Sequence, residues 1–182
     1  MESLIHLPLT TLDFDSMSLD AITSLPRFSG LRTLDLEVDQ SVEVRAEASA
    51  FMMHLTRCKL LTALTLHWCA ITADDLAQLS AALTALTSLR FVDSECKELD
   101  HPDALSYLCS LSQLRELQFL DSTGVRLVHL TDPGFAALSS LRRLDVSLFG
   151  ADLQEARDRS LLTLPWPMMP QLEHCNCTHN GD

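Results

Sequence analysis

Glycine and aromatic residues are both scarce in this sequence. The chain has 5 glycines among its 182 residues, and aromatic residues make up 5% of it. With so few glycines, the sequence contains no glycine-rich loop of the kind that holds a nucleotide phosphate. With so few aromatic rings, the hydrophobic core has to be built mainly from aliphatic side chains.

Positive charge is also in short supply. The chain has 13 Lys and Arg residues against 25 Asp and Glu residues, which gives a formal net charge of −12 at pH 7. Proteins that bind nucleic acid usually carry a basic face, because phosphate contacts supply most of their affinity. We therefore expect neither nucleic acid nor an anionic membrane as partner and favour a basic protein. The alternative is that the charge only keeps the chain soluble.

Long apolar runs are missing as well. No stretch approaches the roughly 18 apolar residues that a membrane-spanning helix needs. The first residues, MESLIHLPLTTLDF, have neither the basic start nor the continuous apolar segment of a secretory signal. These features predict an intracellular, cytoplasmic protein. Its 6 cysteines are expected to stay reduced and to serve mostly as small buried hydrophobic residues.

Leucine is the abundant residue, with 37 copies, which indicates a core position that recurs along the chain. Six copies of the pattern L-x-x-L-x-L, with another apolar residue allowed in the last place, recur at near-constant spacing and are followed by a degenerate seventh copy. The copies are Leu9-Leu12-Phe14, Leu31-Leu34-Leu36, Leu61-Leu64-Leu66, Leu86-Leu89-Phe91, Leu114-Leu117-Phe119, Leu141-Leu144-Val146 and Met169-Leu172-His174. We predict a single domain over residues 1–182, with repeats starting near 9, 31, 61, 86, 114, 141 and 169.

Each repeat combines a strand pattern with a helix pattern. The L-x-L pair alternates with period two, so both leucines face one side of a short strand. Between the strands lie helical patterns, of which TADDLAQLSAALTAL is the clearest, with a capping box predicted at Thr72 and Asp75. Further helices are predicted over residues 41–59 and after Asp132-Pro133. One such unit cannot bury its own apolar stripe, but stacked units cover one another.

The best copy, LTALTLHWCAI from Leu61 to Ile71, matches L-x-x-L-x-L-x-x-C-x-I. In this pattern the sequence resembles the leucine-rich-repeat family, in particular its cysteine-containing and ribonuclease-inhibitor-like subclasses. The resemblance implies an α/β solenoid shaped as a horseshoe arc, with a parallel concave sheet of about seven strands and helices on the convex side. Cys69 stands where the family has asparagine or cysteine.

The other copies depart from the family at that position, where this chain has Met17, Asp39, Ser94, Ser122 and Phe149. We therefore expect the side-chain ladder that satisfies the loop backbone in such repeats to be incomplete.

A concave sheet would present the residues that alternate with the buried anchors. The candidate partner-binding residues are Asp13, Asp15, Asp35, Glu37, Thr65, His67, Trp68, Arg90, Glu116, Gln118, Arg143 and Asp145. The first four are carboxylates, so the N-terminal half of the face should favour cationic groups. Trp68 follows the third strand and is either an interface anchor or a ring packed on the neighbouring turn. For any single residue, a merely solvated surface position is the alternative.

Catalytic and metal-binding patterns are not found. The sequence contains no G-x-S-x-G, no H-E-x-x-H and no paired C-x-x-C, so we predict no enzyme, no cofactor and no metal. The tail HCNCTH, from His174 to His179, places soft ligands close together but has no second ligand pair.

We therefore predict a monomeric, non-catalytic module that binds a protein on its concave face, and the substrate-recognition part of an F-box-type adaptor is one form of it. The alternative is a regulator of an enzyme, either an inhibitor of a basic enzyme or an activator of a small GTPase. A third possibility is a purely structural segment. The apolar start MESLIHLPL leaves two options open, a poorly capped first repeat or a piece of a longer protein.

Overall fold

The structure is a computed structural model that describes residues 9–17, 22–38, 52–96, 102–123, 125, 137–148, 169 and 171–179. Its strands are β1 Thr11–Met17, β2 Thr33–Val38, β3 Ala63–His67, β4 Ala70–Ile71, β5 Ser88–Val92, β6 Glu95–Cys96, β7 Glu116–Leu120, β8 Arg143–Leu148 and β9 His174–His179. The helical elements include α1 Ala73–Ala82 and two 3-10 helices, Leu25–Arg27 and Pro102–Ser110.

Seven strands form one parallel sheet in the order β1-β2-β3-β5-β7-β8-β9. The order follows the chain, so each repeat adds one strand beside the previous one and its connection returns outside the sheet. The short strands β4 and β6 pair in a second parallel ladder, which a bridge from Glu95 to Thr123 extends. The predicted α/β leucine-rich-repeat solenoid is therefore confirmed.

The repeat motif sets the register of the main sheet. Leu34 lies beside Leu64, Leu64 beside Leu89, and Leu89 beside Leu117. In the second to sixth repeats, the three anchors of each motif are at most 1% exposed. The anchors of the first repeat, Leu9, Leu12 and Phe14, are only partly buried against this core. Burial of each leucine contributes about 1.5–3 kcal/mol, which makes these stripes the main source of stability.

Two phenylalanines replace leucine at the last anchor of neighbouring repeats and stack on each other. The ring centroids of Phe91 and Phe119 are 5.1 Å apart with 20° between the ring planes. Both rings are fully buried. Such an aromatic pair adds about 0.5–1.5 kcal/mol beyond its buried area.

The predicted position of the seventh repeat is wrong by three residues. The register pairs Leu144 with Cys175 and Val146 with Cys177, so Cys175 and Cys177, preceded by Leu172, occupy the anchor positions. The proposed start at Met169 and the anchor at His174 are therefore incorrect. The backbone link decides the register, because the N–H groups of residues 173 and 174 both donate to the carbonyl of residue 142. The same arrangement, in which two consecutive N–H groups donate to one carbonyl of the previous repeat, recurs before the earlier strands of the sheet.

The convex layer is less regular than predicted. α1 begins with the expected capping box: Thr72 Oγ1 accepts from the Asp75 N–H at 3.2 Å, and an Asp75 carboxylate oxygen accepts from the Thr72 N–H at 3.0 Å. The next repeat has the 3-10 helix Pro102–Ser110 at the corresponding place. Of the helix predicted over residues 41–59, residues 52–55 are helical, and residues 41–51 lie outside the described part, as do Asp132 and Pro133.

A ladder of small side chains closes the turn after each of three strands. Ser94 Oγ accepts from the Cys69 N–H at 3.2 Å and lies 3.0 Å from the carbonyl of Val92, to which it donates. Ser122 Oγ accepts from the Ser94 N–H at 3.2 Å and lies 3.1 Å from the Phe91 carbonyl. The expected incompleteness of the ladder is therefore wrong for these repeats, because one hydroxyl can both accept and donate.

The ladder makes Ser122 a sensitive position. We expect Ser122→Ala to lower the free energy of unfolding by about 1–3 kcal/mol, because it leaves the N–H of Ser94 buried without an acceptor. Ser122→Cys should lose less, since Cys69 occupies the equivalent position. Urea unfolding measures both values. Ser110→Ala, on an exposed hydroxyl, is the control and should change little. An equal effect of the two alanine variants would show that the ladder does not stabilise the fold.

Candidate functional site

The concave face of the sheet carries three rows of side chains that run across the strands. The register places in the central row Asp13, Asp35, Thr65, Arg90, Gln118, Asp145 and Asn176. Neighbouring strands lie about 4.8 Å apart, so consecutive members of a row are in reach of each other. The sign of their charges divides the face into two zones.

The N-terminal zone is acidic. Asp13 and Asp35 are direct neighbours across β1 and β2. Asp35 Oδ1 lies 2.9 Å from Nε2 of His67, which forms an ion pair with it whenever the imidazole is protonated. Within the described residues, Asp13 and Glu37 have no ionic partner. We call Asp13, Asp35 and Glu37 the acidic zone. Asp15 lies on β1, but its side chain is outside the described set.

The C-terminal zone has charges of both signs that pair with one another. An Arg90 nitrogen lies 3.0 and 3.1 Å from the two carboxylate oxygens of Glu116, which also accepts from Ser88 at 2.9 Å. Nε of Arg143 is 2.7 Å from Asp145 Oδ2 and 3.7 Å from Glu116 Oε1. The hydrogen bond to Asp145 raises the pKa of Arg143 above its ordinary value. We call Arg90, Glu116, Arg143 and Asp145 the paired zone.

Two of the predicted site residues are buried beneath the exposed side chains of the paired zone. Gln118 and Asp145 are only 4% and 3% exposed, and Gln118 Nε2 donates to Asp145 Oδ2. His174, which sequence reasoning took for a core anchor, lies with Nε2 3.3 Å from Asp145 Oδ1. Buried Gln118 and Asp145 thus position Arg143 and His174, and the exposed groups of the zone are largely neutralised by their own neighbours.

Two apolar residues of the face were not among the candidate partner-binding residues. The third row follows the register from Glu37 through His67 to Val92 and Leu120, and both apolar side chains are half-buried. They continue the face on the side where Trp68 lies. The alternation along each strand already places both residues on the concave side, and the register confirms it.

Trp68 has an unusual backbone conformation. Its φ is 57°, and the equivalent residues of the next two repeats, Asp93 and Asp121, have φ of 48° and 49°. The turn therefore demands the left-handed region, which aspartate tolerates and which costs a bulky residue about 1–2 kcal/mol. The Trp68 N–H donates to the Val92 carbonyl at 3.1 Å, which holds the turn.

The Trp68 side chain remains 42% exposed, one of four large hydrophobic residues in the described part that are exposed. A strained residue that also exposes a large ring is a pattern associated with functional sites. Trp68 directly follows His67, so its ring lies at the end of the strand that borders the acidic zone.

Three buried cysteines, Cys58, Cys69 and Cys96, are structural in character. Burial raises the pKa of Cys58 to about 11, and burial with nearby negative charge raises the pKa of Cys69 and of Cys96 to about 12. A thiol with such a pKa is protonated at neutral pH and is a poor nucleophile. In the described ranges, no group of three or more His, Cys, Asp and Glu residues could hold a metal ion. No helix in the same ranges is long and apolar enough to cross a membrane.

Among the solved structures that resemble this one are a tropomodulin domain and an internalin. The C-terminal domain of tropomodulin from Caenorhabditis elegans is 14% identical, with a TM-score of 0.54, and the match covers 81% of this chain and 93% of that domain. An internalin from Listeria monocytogenes str. 4b F2365 is 18% identical, with a TM-score of 0.45 and 88% of this chain covered. The chain spans 45% of the length of that internalin. No protein-family model and no curated protein matches the chain. The likeness to tropomodulin shows a shared fold.

The thiols differ in their predicted reactivity. With iodoacetamide at pH 8, we expect Cys175, which is exposed, to be alkylated in the native protein. Cys69 and Cys96 should react only after unfolding, because a raised pKa and burial both remove the reactive thiolate. Peptide mass spectrometry after timed quenching measures the three rates. Fast native modification of Cys69 would contradict its place in the core.

Trp68 can be tested for strain. We expect Trp68→Asn to leave the free energy of unfolding unchanged or to raise it by up to about 1 kcal/mol, because asparagine adopts the left-handed conformation readily. Urea unfolding gives the value, and Asp93→Trp serves as the reverse control and should lower stability. A loss above about 1 kcal/mol in Trp68→Asn would mean that the ring is kept for packing on its own turn.

Proposed function

We propose that this chain is a non-catalytic protein-interaction module that binds a basic segment of a partner protein on the N-terminal half of its concave face. One observation carries the proposal: within the described residues, Asp13 and Glu37 have no ionic partner, whereas Arg90 and Arg143 in the paired zone are bound to Glu116 and Asp145. Charged groups that already neutralise each other attract a charged partner only weakly, whereas unpaired carboxylates attract cations.

The net charge of the chain favours the same kind of partner. A formal charge of −12 produces a long-range field that speeds the encounter with a basic protein and slows the encounter with an acidic one. The acidic zone then supplies the local contacts. Binding of this type should weaken as salt concentration rises.

Trp68 is our proposed anchor at the border of the acidic zone. Tryptophan is enriched among the residues that dominate binding energy, and its ring attracts the cationic head of Lys or Arg. The exposed ring and the carboxylate of Glu37, which lies opposite the preceding residue His67, would together recognise a basic side chain. The same partner could reach Thr65 and His67, which lie beside them on β3.

Finer proposals follow from the resemblance in the repeats. We place the chain in the leucine-rich-repeat family, near its cysteine-containing and ribonuclease-inhibitor-like subclasses, because LTALTLHWCAI has Cys69 at the family position. We further propose an intracellular monomer that recognises substrates for an F-box-type adaptor. Co-purification with the other ubiquitin-ligase subunits would test the adaptor role.

The second candidate is an inhibitor of a basic enzyme, and the unpaired carboxylates of the acidic zone favour it. An inhibitor would block the activity of the enzyme that it captures, whereas an adaptor would leave that activity unchanged. Activation of a small GTPase is a further form of enzyme regulation, and a GTP hydrolysis assay separates it from both.

The concave-face proposal can be tested with charge reversal. We expect the triple variant Asp13→Lys, Asp35→Lys, Glu37→Lys to bind Lys- and Arg-containing peptides at least about tenfold more weakly, because three attractive contacts become repulsive. An array of basic 12-residue peptides, read at two salt concentrations, identifies the peptides, and fluorescence anisotropy gives the affinities.

The matched control reverses three exposed carboxylates elsewhere, with Asp74→Lys, Glu95→Lys and Glu173→Lys. It changes the net charge equally, so an equal loss of affinity in both variants would show a general field effect. Unchanged affinity and salt dependence in the first variant would rule out the acidic zone as the binding surface.

A further inference from the structure

Exposed residues that break the repeat pattern reveal a second surface, away from the acidic zone. Residue types that the fold requires recur at equivalent positions of a solenoid. The position four residues before the first anchor holds Arg27 in the second repeat and Arg57 in the third. The next three repeats have Ala82, Ser110 and Ala137 there. The fold therefore does not require a cation at this position, and yet two neighbouring repeats carry one.

Both arginines are exposed, and neither has a carboxylate partner among the described residues. Arg32 and Arg115 are also exposed without such a partner among the described residues, but neither lines the cleft described below. The arginines of the concave face, Arg90 and Arg143, are ion-paired, and so is Arg142, which bonds Glu173 at 3.0 Å. Two like charges at equivalent positions of neighbouring repeats do not stabilise each other.

A cleft of about 220 Å³ lies between these two repeats. Pro26, Phe28, Leu31 and Leu60 give it an apolar lining, and Arg57 contributes to its wall. Arg27 sits in the chain between two of the lining residues. We call this site the basic cleft.

Leu60 is the second departure from the pattern. It is 47% exposed, and the equivalent residues of the other described repeats are Gly30, Ala85, Gln113, Ser140 and Gln171, which are small or polar. The large apolar side chain is thus specific to the repeat that also carries Arg57. Exposed apolar surface beside an unpaired charge is typical of an interaction site.

Lys59 also lines the cleft but has a structural role. Its Nζ donates at 3.3 Å to the carbonyl of Ala82, the last residue of α1. A lysine in this place satisfies a free carbonyl and complements the negative end of the helix. The charge that is free for a ligand is therefore that of Arg27 and Arg57.

We propose that the basic cleft binds a short acidic segment of a protein partner, with one aliphatic side chain in the cleft and flanking carboxylates on Arg27 and Arg57. A volume of about 220 Å³ holds a side chain and is below the roughly 300–1,000 Å³ of small-molecule pockets. An arginine guanidinium binds carboxylate through two parallel hydrogen bonds. The apolar lining favours a peptide over a bare polyanion. This site is independent of the acidic zone and takes a ligand of opposite charge.

Fluorescence anisotropy with a labelled peptide of Glu and Asp residues around one central Leu tests the proposal. We expect Arg57→Glu and Leu60→Ser each to weaken its binding at least about fivefold. Both side chains are exposed, so the fold should survive, which circular dichroism and urea unfolding check. The matched controls are Arg115→Glu, an exposed arginine on another repeat, and Tyr107→Ser, which removes an equally exposed ring. Neither control should change the affinity.

The outcomes separate the alternatives. Equal losses in Arg57→Glu and Arg115→Glu would show unspecific attraction to positive charge and would overturn the proposal. It would also be overturned if a peptide with central Ser bound as well as the one with Leu, or if inorganic phosphate or single-stranded RNA competed better than the peptide. The triple variant of the acidic zone should bind this acidic peptide at least as well as the wild type. Failure of one proposal is thereby distinguishable from failure of the other.

Discussion

The fold depends on one constraint: a single strand with its return segment cannot cover its own leucines. Leu64 is buried because Leu34 lies on one side of it and Leu89 on the other, in register across three parallel strands. Each repeat is thus stabilised almost entirely by its neighbours, and the first repeat, with one neighbouring strand, leaves Leu12 partly exposed. The same stacking brings the turns together, where the hydroxyls of Ser94 and Ser122 satisfy the buried backbone.

Stacking in register also decides how charges meet. Side chains at the same position of neighbouring repeats come within about 5 Å of each other, whatever their sign. Glu116 meets Arg90 and Arg143 and is neutralised, whereas Asp13 meets Asp35 and stays available. In an acidic solenoid, the charges on one half of the face can therefore neutralise one another, while the carboxylates on the other half remain available to cations. The basic cleft arises in the same way, because Arg27 and Arg57 occupy the same position of neighbouring repeats and carry positive charge.

The accuracy of sequence reasoning followed the strength of the local pattern. The first six strands of the main sheet and the capping box at Thr72 were predictable, because leucine at fixed spacing and a cap residue before a helix are local signals. The seventh repeat was not, since Leu172 is the only leucine there and fits two registers; the backbone link to residue 142 selects one. The irregular 3-10 segment Pro102–Ser110 was also missed, because its apolar spacing resembles that of an α-helix.

The sequence alone determined the repeat, the parallel sheet, the acidic half of the face and the place of Trp68 at the end of a strand, because periodic burial of leucine permits one arrangement of strands. Only the tertiary structure decided that Asp145 is buried under Arg143 and that Trp68 occupies a left-handed turn. It also decided that Leu60 and Arg57 border one cleft. These properties come from contacts between residues about 25 or more positions apart or from the strain of a turn. The spacing of residues within one repeat cannot predict either of them.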